Sequence, residues 1–149
     1  MNSKKFMQIA LDQAHIAKNK NEVPVGAVIT FQDKVIGVGS NSVISDNFCA
    51  NHAEINAIRS ASKFIDNYRL IDCDLYVTLE PCHMCAKAIV HARIRNLFFG
   101  VREPKSGAIV SNDNFLDKDF NNHKVKYQEG ILKQECRYLI REFFHEKRS

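Results

Sequence analysis

At 149 residues, 45% hydrophobic and 26% charged, the chain is long enough to bury one core and too apolar to be a disordered segment or a fibre. Its 21 Lys and Arg against 17 Asp and Glu leave a formal charge of +4, which admits a nucleic acid partner without demanding one. The opening Met1-Asn2-Ser3-Lys4-Lys5 starts like a signal peptide, but Gln8, Asp12 and Gln13 break the apolar core it would need, and no run of transmembrane length follows.

A single cytoplasmic domain over residues 1–149, away from membranes, is therefore expected. In such a reducing compartment the five cysteines are better candidates for metal than for disulfides.

In chain order, Phe6, Ile9, Ala10, Ala14 and Ala17 recur mainly at three- and four-residue spacing, which predicts an amphipathic helix ending near Asn19. Val25, Ala27, Ile29 and Phe31 then alternate with Gly26, Val28 and Thr30, and Val35-Ile36-Gly37-Val38 follows a polar Gln32-Asp33 pair, so a hairpin is predicted. Gly39 to Asn51 carries little pattern. A second helix is read from about His52 to Ala61, a buried strand at Leu75–Leu79, and a third helix from Pro81, which suits a first helical position, to about Ala92.

Leu97-Phe98-Phe99-Gly100 reads as another strand. Arg102 to Asn122 is rich in Asn, Asp and Lys and longer than an ordinary connection; such loops carry function or lack order. Val125-Lys126-Tyr127 makes a weak last strand, and Gly130 precedes a helix with Leu132, Cys136, Leu139, Ile140 and Phe143 on one face. This order predicts an α/β fold, a central sheet with helices on both faces.

Two segments place ligand-type side chains at helix starts: Asn51-His52-Ala53-Glu54 and Glu80-Pro81-Cys82-His83-Met84-Cys85. Cys82 and Cys85, three apart, share a helix face, and a helix N-terminus favours the thiolate. His52 adds a third ligand, and a Cys₂His set is a catalytic pattern because tetrahedral zinc then keeps a position for water. Residues two apart diverge in mid-helix, so His52 and Glu54 converge only at a helix end, where Glu54 is free to act as a base. Two thiolates already neutralise Zn²⁺, which weakens it as a Lewis acid and makes a nearby carboxylate more necessary. The alternative is a closed site in which Cys49 and His52 join Cys82 and Cys85 and the metal only stabilises. Cys73 and Cys136, in apolar company, read as core residues.

H-x-E followed by P-C-x-x-C is the known signature of the zinc nucleobase deaminases. The chain resembles that family over nearly its whole length, and within it the bacterial tRNA-specific adenosine deaminases. The resemblance is carried by Glu22-Val23-Pro24-Val25-Gly26-Ala27-Val28, His52-Ala53-Glu54-Ile55, Asn67-Tyr68-Arg69-Leu70, Leu75 through Cys85, and Glu135-Cys136 leading to Phe143-Phe144. It implies a cytidine-deaminase-like three-layer α/β/α fold around a five-stranded mixed sheet and a homodimer with one zinc ion per subunit. It also implies conversion of adenosine to inosine at the wobble position of an arginine tRNA, bound through its anticodon stem-loop. The chemistry implied is attack of zinc-activated water on C6 of adenine, with Glu54 carrying the protons and ammonia leaving.

By the same resemblance, Asn41 matches the position that hydrogen-bonds the flipped nucleoside, Val25, Gly26 and Ala27 match the strand lining the pocket, and Ala53 joins them between His52 and Glu54. An ordinary turn residue at Asn41 and a core residue at Val25 are the plainer alternatives. Arg102, Glu103 and Lys105 match a segment that contacts the anticodon loop, although the usual Asp is Glu103, Pro104 follows it, and Asn51 stands where the family commonly has Ala.

On the last helix Lys133, Arg137, Arg141, His145 and Arg148 form a basic face, suited to phosphates or to solvent beside Glu135, Glu142 and Glu146. Phe144 is the candidate to stack on an anticodon base while Phe143 packs inside, and a buried pair is the alternative. Two rival functions stand beside the tRNA enzyme: a deaminase of a free base or nucleoside, such as guanine or cytosine, and a non-catalytic zinc-stabilised RNA-binding module.

Overall fold

In the computed structural model, which describes residues 2–148, the first element follows from helical spacing. Helix α1 (Ser3–Asn19) buries Phe6, Met7, Ala10, Leu11, Ala14 and Ala17, a stripe at three- and four-residue steps. Strands β1 (Gly26–Phe31) and β2 (Lys34–Ser40) form the expected hairpin. Gln32 and Asp33 both take positive φ at its turn, the conformation that matches the twist of a two-residue hairpin. Helix α2 (Ala53–Ile65) runs one turn past the predicted end at Ala61, because Ile65 continues the apolar face and packs on the core. It stops at Asp66, which is left-handed at φ 57°.

Strand β3 (Cys73–Leu79), helix α3 (His83–His91), strand β4 (Asn96–Val101), a short 3-10 turn at Phe115–Asp117, strand β5 (Lys126–Glu129) and helix α4 (Lys133–Arg148) follow. Strand β3 starts two residues before the expected Leu75, β5 lies one to two residues later than expected, and two helix starts also differ from the sequence reading. Pro81 is not the first residue of α3: its carbonyl accepts the Ala108 N–H at 2.9 Å, and Cys82 is the N-cap. Leu132 is not on the last helix either; it precedes α4 with a φ of 52°.

The sheet order is β2-β1-β3-β4-β5, antiparallel from β2 to β3 and parallel from β3 to β5, the five-stranded mixed sheet that was expected. Its side chains alternate between two cores. Ala27, Ile29, Leu75, Val77, Leu97 and Phe99 meet α2 and α3 on one face, while Val28, Tyr76 and Phe98 meet α1 and α4 on the other. The three α/β/α layers follow. A parallel pair needs a crossover of a dozen or more residues, so the strand order itself accounts for the long segment 102–125 between β4 and β5. No helix among the described residues is long and apolar enough to cross a membrane.

Strand β1 lies so close to α1 that a Cβ at Gly26 would collide with the carbonyl oxygen of Ala10 and the nitrogen of Ala14. Gly26→Ala is therefore expected to cost about 1–3 kcal/mol, the usual range for overpacking. At roughly 2–4 °C per kcal/mol for a chain of this size, thermal unfolding should show a melting point lowered by several degrees.

Candidate metal centre and active site

His52 and Cys82 each end an extended segment and cap a helix, with ψ of 157° and 176°. Their carbonyls open the helical ladders, His52 accepting the Asn56 N–H at 3.1 Å and Cys82 the Ala86 N–H at 2.8 Å. Glu54 is the second residue of α2 and Cys85 the third of α3, so the convergence that mid-helix geometry forbids is achieved at the two helix starts. His52 Nδ1 lies 3.6 Å from Cys82 Sγ and 3.5 Å from Cys85 Sγ, and the three ligand atoms fall within 4.8 Å of one another. Zn–S and Zn–N bonds near 2.3 and 2.05 Å at a tetrahedral angle put sulfur and nitrogen about 3.6 Å apart. The donor set and its spacing fit zinc. Cys49 sits exposed in a turn and outside this group, so the closed four-ligand arrangement does not form among the described residues.

The electrostatics separate the roles. Hydrogen bonding with Cys85 pulls the Cys82 thiol down to about 4, against burial and with help from His52. The same contact, together with burial, raises Cys85; a metal takes both as thiolates, so its binding would release protons. Hydrogen bonding with Cys82 raises His52. Glu54 is 4% exposed, and burial pushes its carboxyl up to about 7, a range in which a group can both take and return a proton near neutrality.

His52, Glu54 and Cys82 open onto a cavity of about 220 Å³. This is below the roughly 300 Å³ at which pockets for drug-sized ligands begin, so it suits one ring system rather than a whole nucleotide. Val25 and Leu79 give it apolar walls and Asn41 a polar one. Gly26, Ala27 and Ala53 are not among its walls: Gly26 is turned to α1, and Ala27 and Ala53 belong to the core behind it.

A second cavity of about 430 Å³ shares Leu79 and Glu103 with the first and is lined by Arg102, Pro104, Arg141, Phe144 and His145 among others. It thus gathers Arg102, Glu103 and Phe144 beside the metal site. The Arg102 guanidinium is held in a two-pronged pair by Glu129 at 2.8 and 2.9 Å. Lys105 lines neither cavity; it is exposed, and its backbone N–H donates to Glu103 Oε1 at 3.0 Å. Phe143 is buried and Phe144 is 43% exposed, which divides the pair as the stacking alternative requires. Along α4, Lys133, Arg141 and His145 are exposed and Arg137 is half-buried; the Arg148 side chain lies outside the described residues.

Two carboxylates that the sequence reading left without a role hold the loops around the cavity. Glu22, 1% exposed, accepts the Ile44 N–H at 3.1 Å and both the N–H and the hydroxyl of Ser45 at 2.7 Å. Glu80, 3% exposed, accepts four backbone N–H groups and the Ser111 hydroxyl from the segment 103–111. The signal available was a lone acid beside an apolar strand, where an unpartnered charge is too costly to bury. Asn51 also works within its loop, donating to Asp46 Oδ2 at 2.8 Å, while Ser42 donates to the same oxygen at 2.7 Å.

Burial pushes the Glu22 carboxyl up, but the hydrogen bonds from Ser45 and Ile44 outweigh it and hold the group below its ordinary 4.5. A folded-state value below the unfolded one contributes stability that is full above pH 4.5 and is lost as pH falls through the folded value. Glu22→Gln is expected to cost about 1–3 kcal/mol at neutral pH. The gap in melting temperature between the two proteins should narrow once the pH drops below 4.5.

Residues 1–148 match the MafB19-like deaminase family. Over 146 residues the chain is 45% identical to a tRNA-specific adenosine deaminase of Buchnera aphidicola, covering 96% of this chain and 94% of that relative. The chain belongs to the tRNA-specific adenosine deaminase family. A solved structure from work on A-to-I editing by tRNA:A34 deaminases at the wobble position of transfer RNA shares the fold with this deaminase at a TM-score of 0.88. The two are 40% identical, over 91% of this chain and 98% of that one. The guanine deaminase of Bacillus subtilis is similar at a TM-score of 0.67 and 33% identity, over 86% of this chain and 85% of the other. The cytidine-deaminase-like sheet and helices of the deaminase thus agree with the architecture expected from its sequence.

Proposed function

We propose that this deaminase converts adenosine to inosine at the wobble position of an arginine tRNA, as a cytoplasmic homodimer of single-domain subunits over residues 1–149 with one zinc ion each. The observation that carries the reading is the convergence of His52 Nδ1, Cys82 Sγ and Cys85 Sγ with the buried Glu54 carboxyl on a cavity sized for one base. When bound by His52, Cys82 and Cys85, zinc supplies an activated water for attack on C6 of adenine. Glu54, itself no ligand, would carry one proton from the attacking water to N1 and then the proton of the new C6 hydroxyl to the amine, which leaves as ammonia.

Val25 and Leu79 keep bulk water from the faces of the base, and the Asn41 amide offers the nucleoside both a donor and an acceptor. A cavity this small takes the base only when it is turned out of its stack. Gly26, Ala27 and Ala53 support the pocket from behind, through the core that fixes β1 and the start of α2. Arg102, Glu103, Lys105 and Phe144 meet the neighbouring nucleotides of the anticodon loop, Phe144 by stacking and the basic groups through phosphates.

The test is to incubate the purified protein with an arginine tRNA bearing A at the wobble position and to sequence the product. Inosine at that base is the expected result, and an anticodon stem-loop alone should serve. Absence of inosine, with ammonia released from free guanine or cytosine instead, would overturn the substrate. That second reading draws on the likeness to the Bacillus subtilis guanine deaminase and on a cavity that suits one ring system. Salt separates the two, because an RNA substrate loses affinity steeply as salt displaces its phosphate contacts, whereas a free base does not. A non-catalytic RNA-binding module would retain tRNA and release no ammonia.

A further inference from the structure

We infer that Glu80 is a positioning residue that sets the affinity for RNA, by suspending the loop 103–111 from the short link between β3 and α3 that leads into the metal ligand Cys82. Its Oε2 accepts the N–H groups of three consecutive residues, Ile109 at 2.9 Å, Val110 at 2.8 Å and Ser111 at 3.0 Å. Its Oε1 accepts the Glu103 N–H at 3.0 Å and the Ser111 hydroxyl. The Glu80 N–H donates to the Val101 carbonyl at 2.9 Å, and the Pro81 carbonyl accepts from Ala108 at 2.9 Å. The strand end and the loop are therefore joined on both sides of the carboxylate.

Five donors pointing at one buried group demand an anion with acceptors on both oxygens. An amide in its place would turn an NH₂ toward N–H groups. Gly107 seals the arrangement, because a Cβ there would run into the Glu80 carboxyl carbon.

The suspended segment matters because Glu103 and Ser106 form the cavity wall beside His52 and Cys82, and Glu103 continues into the cavity that holds Arg102 and Phe144. Four of the five bonds to Glu80 come from the loop's backbone, so this hold is the same whether residue 103 is Asp or Glu. Beyond residue 111 the loop has its own tie, His83 Nε2 donating to the Asp113 carboxylate at 2.9 Å, so loss of Glu80 loosens 103–111 alone.

The inference rests on the reading of the site as an RNA deaminase, and its test keeps the two apart. Glu80→Gln, Ser111→Ala and Gly107→Ala are compared with wild type for zinc content, for kcat and KM on the anticodon stem-loop, and for amide hydrogen exchange. The expected result for Ser111→Ala, which removes one donor, is a KM raised about tenfold with kcat and zinc content unchanged. Glu80→Gln should raise KM further, and so should Gly107→Ala, whose Cβ would meet both the Glu80 carboxyl and the Glu103 carbonyl of the loop itself. Exchange should quicken at Ile109, Val110 and Ser111 and stay unchanged in α2.

Wild-type KM in Ser111→Ala and Gly107→Ala, or loss of kcat and zinc together in all three, would overturn the inference even where Glu80→Gln fails to fold. If wild type shows no RNA turnover, the RNA reading fails and with it the effect on KM. Exchange still decides whether Glu80 holds the loop: quickening confined to 103–111 supports the suspension, and unchanged exchange refutes it.

Discussion

Glu54→Gln is expected to lower the deamination rate by about 10²–10⁴-fold, the range that a positioned proton carrier contributes, while zinc content and RNA affinity stay at wild-type levels. The expectation follows from the position of the side chain. Glu54 is buried, lines the cavity and lies outside the three-atom ligand group, so removing its charge leaves the metal donors intact. The amide keeps the volume of the carboxylate, so the loss cannot be attributed to a new void, as it could with Ala. Single-turnover rates on the stem-loop, with zinc measured in the same preparation, make the comparison. Turnover within a few-fold of wild type would place the proton carrier elsewhere and return the metal to a purely stabilising role.

His52→Ala is expected to have a comparable effect by a different route. With Nδ1 removed, two sulfurs remain of a set whose spacing suits a tetrahedral ion, and zinc should fall well below one per chain with deamination below detection. Cys82, partly exposed and with its thiol lowered, should then be alkylated by iodoacetamide, whereas the zinc-loaded wild type should protect it; Cys85, fully buried, should stay unmodified in both. Treating wild type with a chelator should give the same alkylation pattern, and adding zinc back should reverse it. Cys49→Ser is the control, because that cysteine is exposed and outside the ligand group; full zinc and full activity are expected. A zinc content that depends on Cys49 would restore the closed four-ligand alternative.

What could be read from the sequence was whatever depends on neighbours along the chain. The helices announce themselves through the stripe from Phe6 to Ala17 and through Cys136, Leu139 and Phe143, and the hairpin through its alternation and its Gln32-Asp33 turn. The ligands were legible for the same reason, since His52 with Glu54 and Cys82 with Cys85 are local pairs at helix starts.

What was hidden depends on distant backbone. Pro81 has the residue type of a first helical position, yet Ala108 takes its carbonyl from 27 residues away. The partners of Glu22 and Glu80 are mostly backbone N–H groups, which leave no mark in residue types. Ala53 stands between His52 and Glu54 yet points into the core, because successive side chains of a helix turn away from one another, and Ala27, two residues past Val25, lies in the core behind the cavity.

The strand order has a consequence for how such a protein can change. Because β4 and β5 are parallel neighbours, the segment between them cannot be dispensed with, and every relative that keeps this sheet must carry a chain of similar reach across the same side of the metal. Its ends are anchored in the sheet, and its first part hangs on a carboxylate just past the end of β3. Residues 103–111 are thus a cartridge that can be exchanged while His52, Cys82, Cys85, Glu54 and both cores stay as they are.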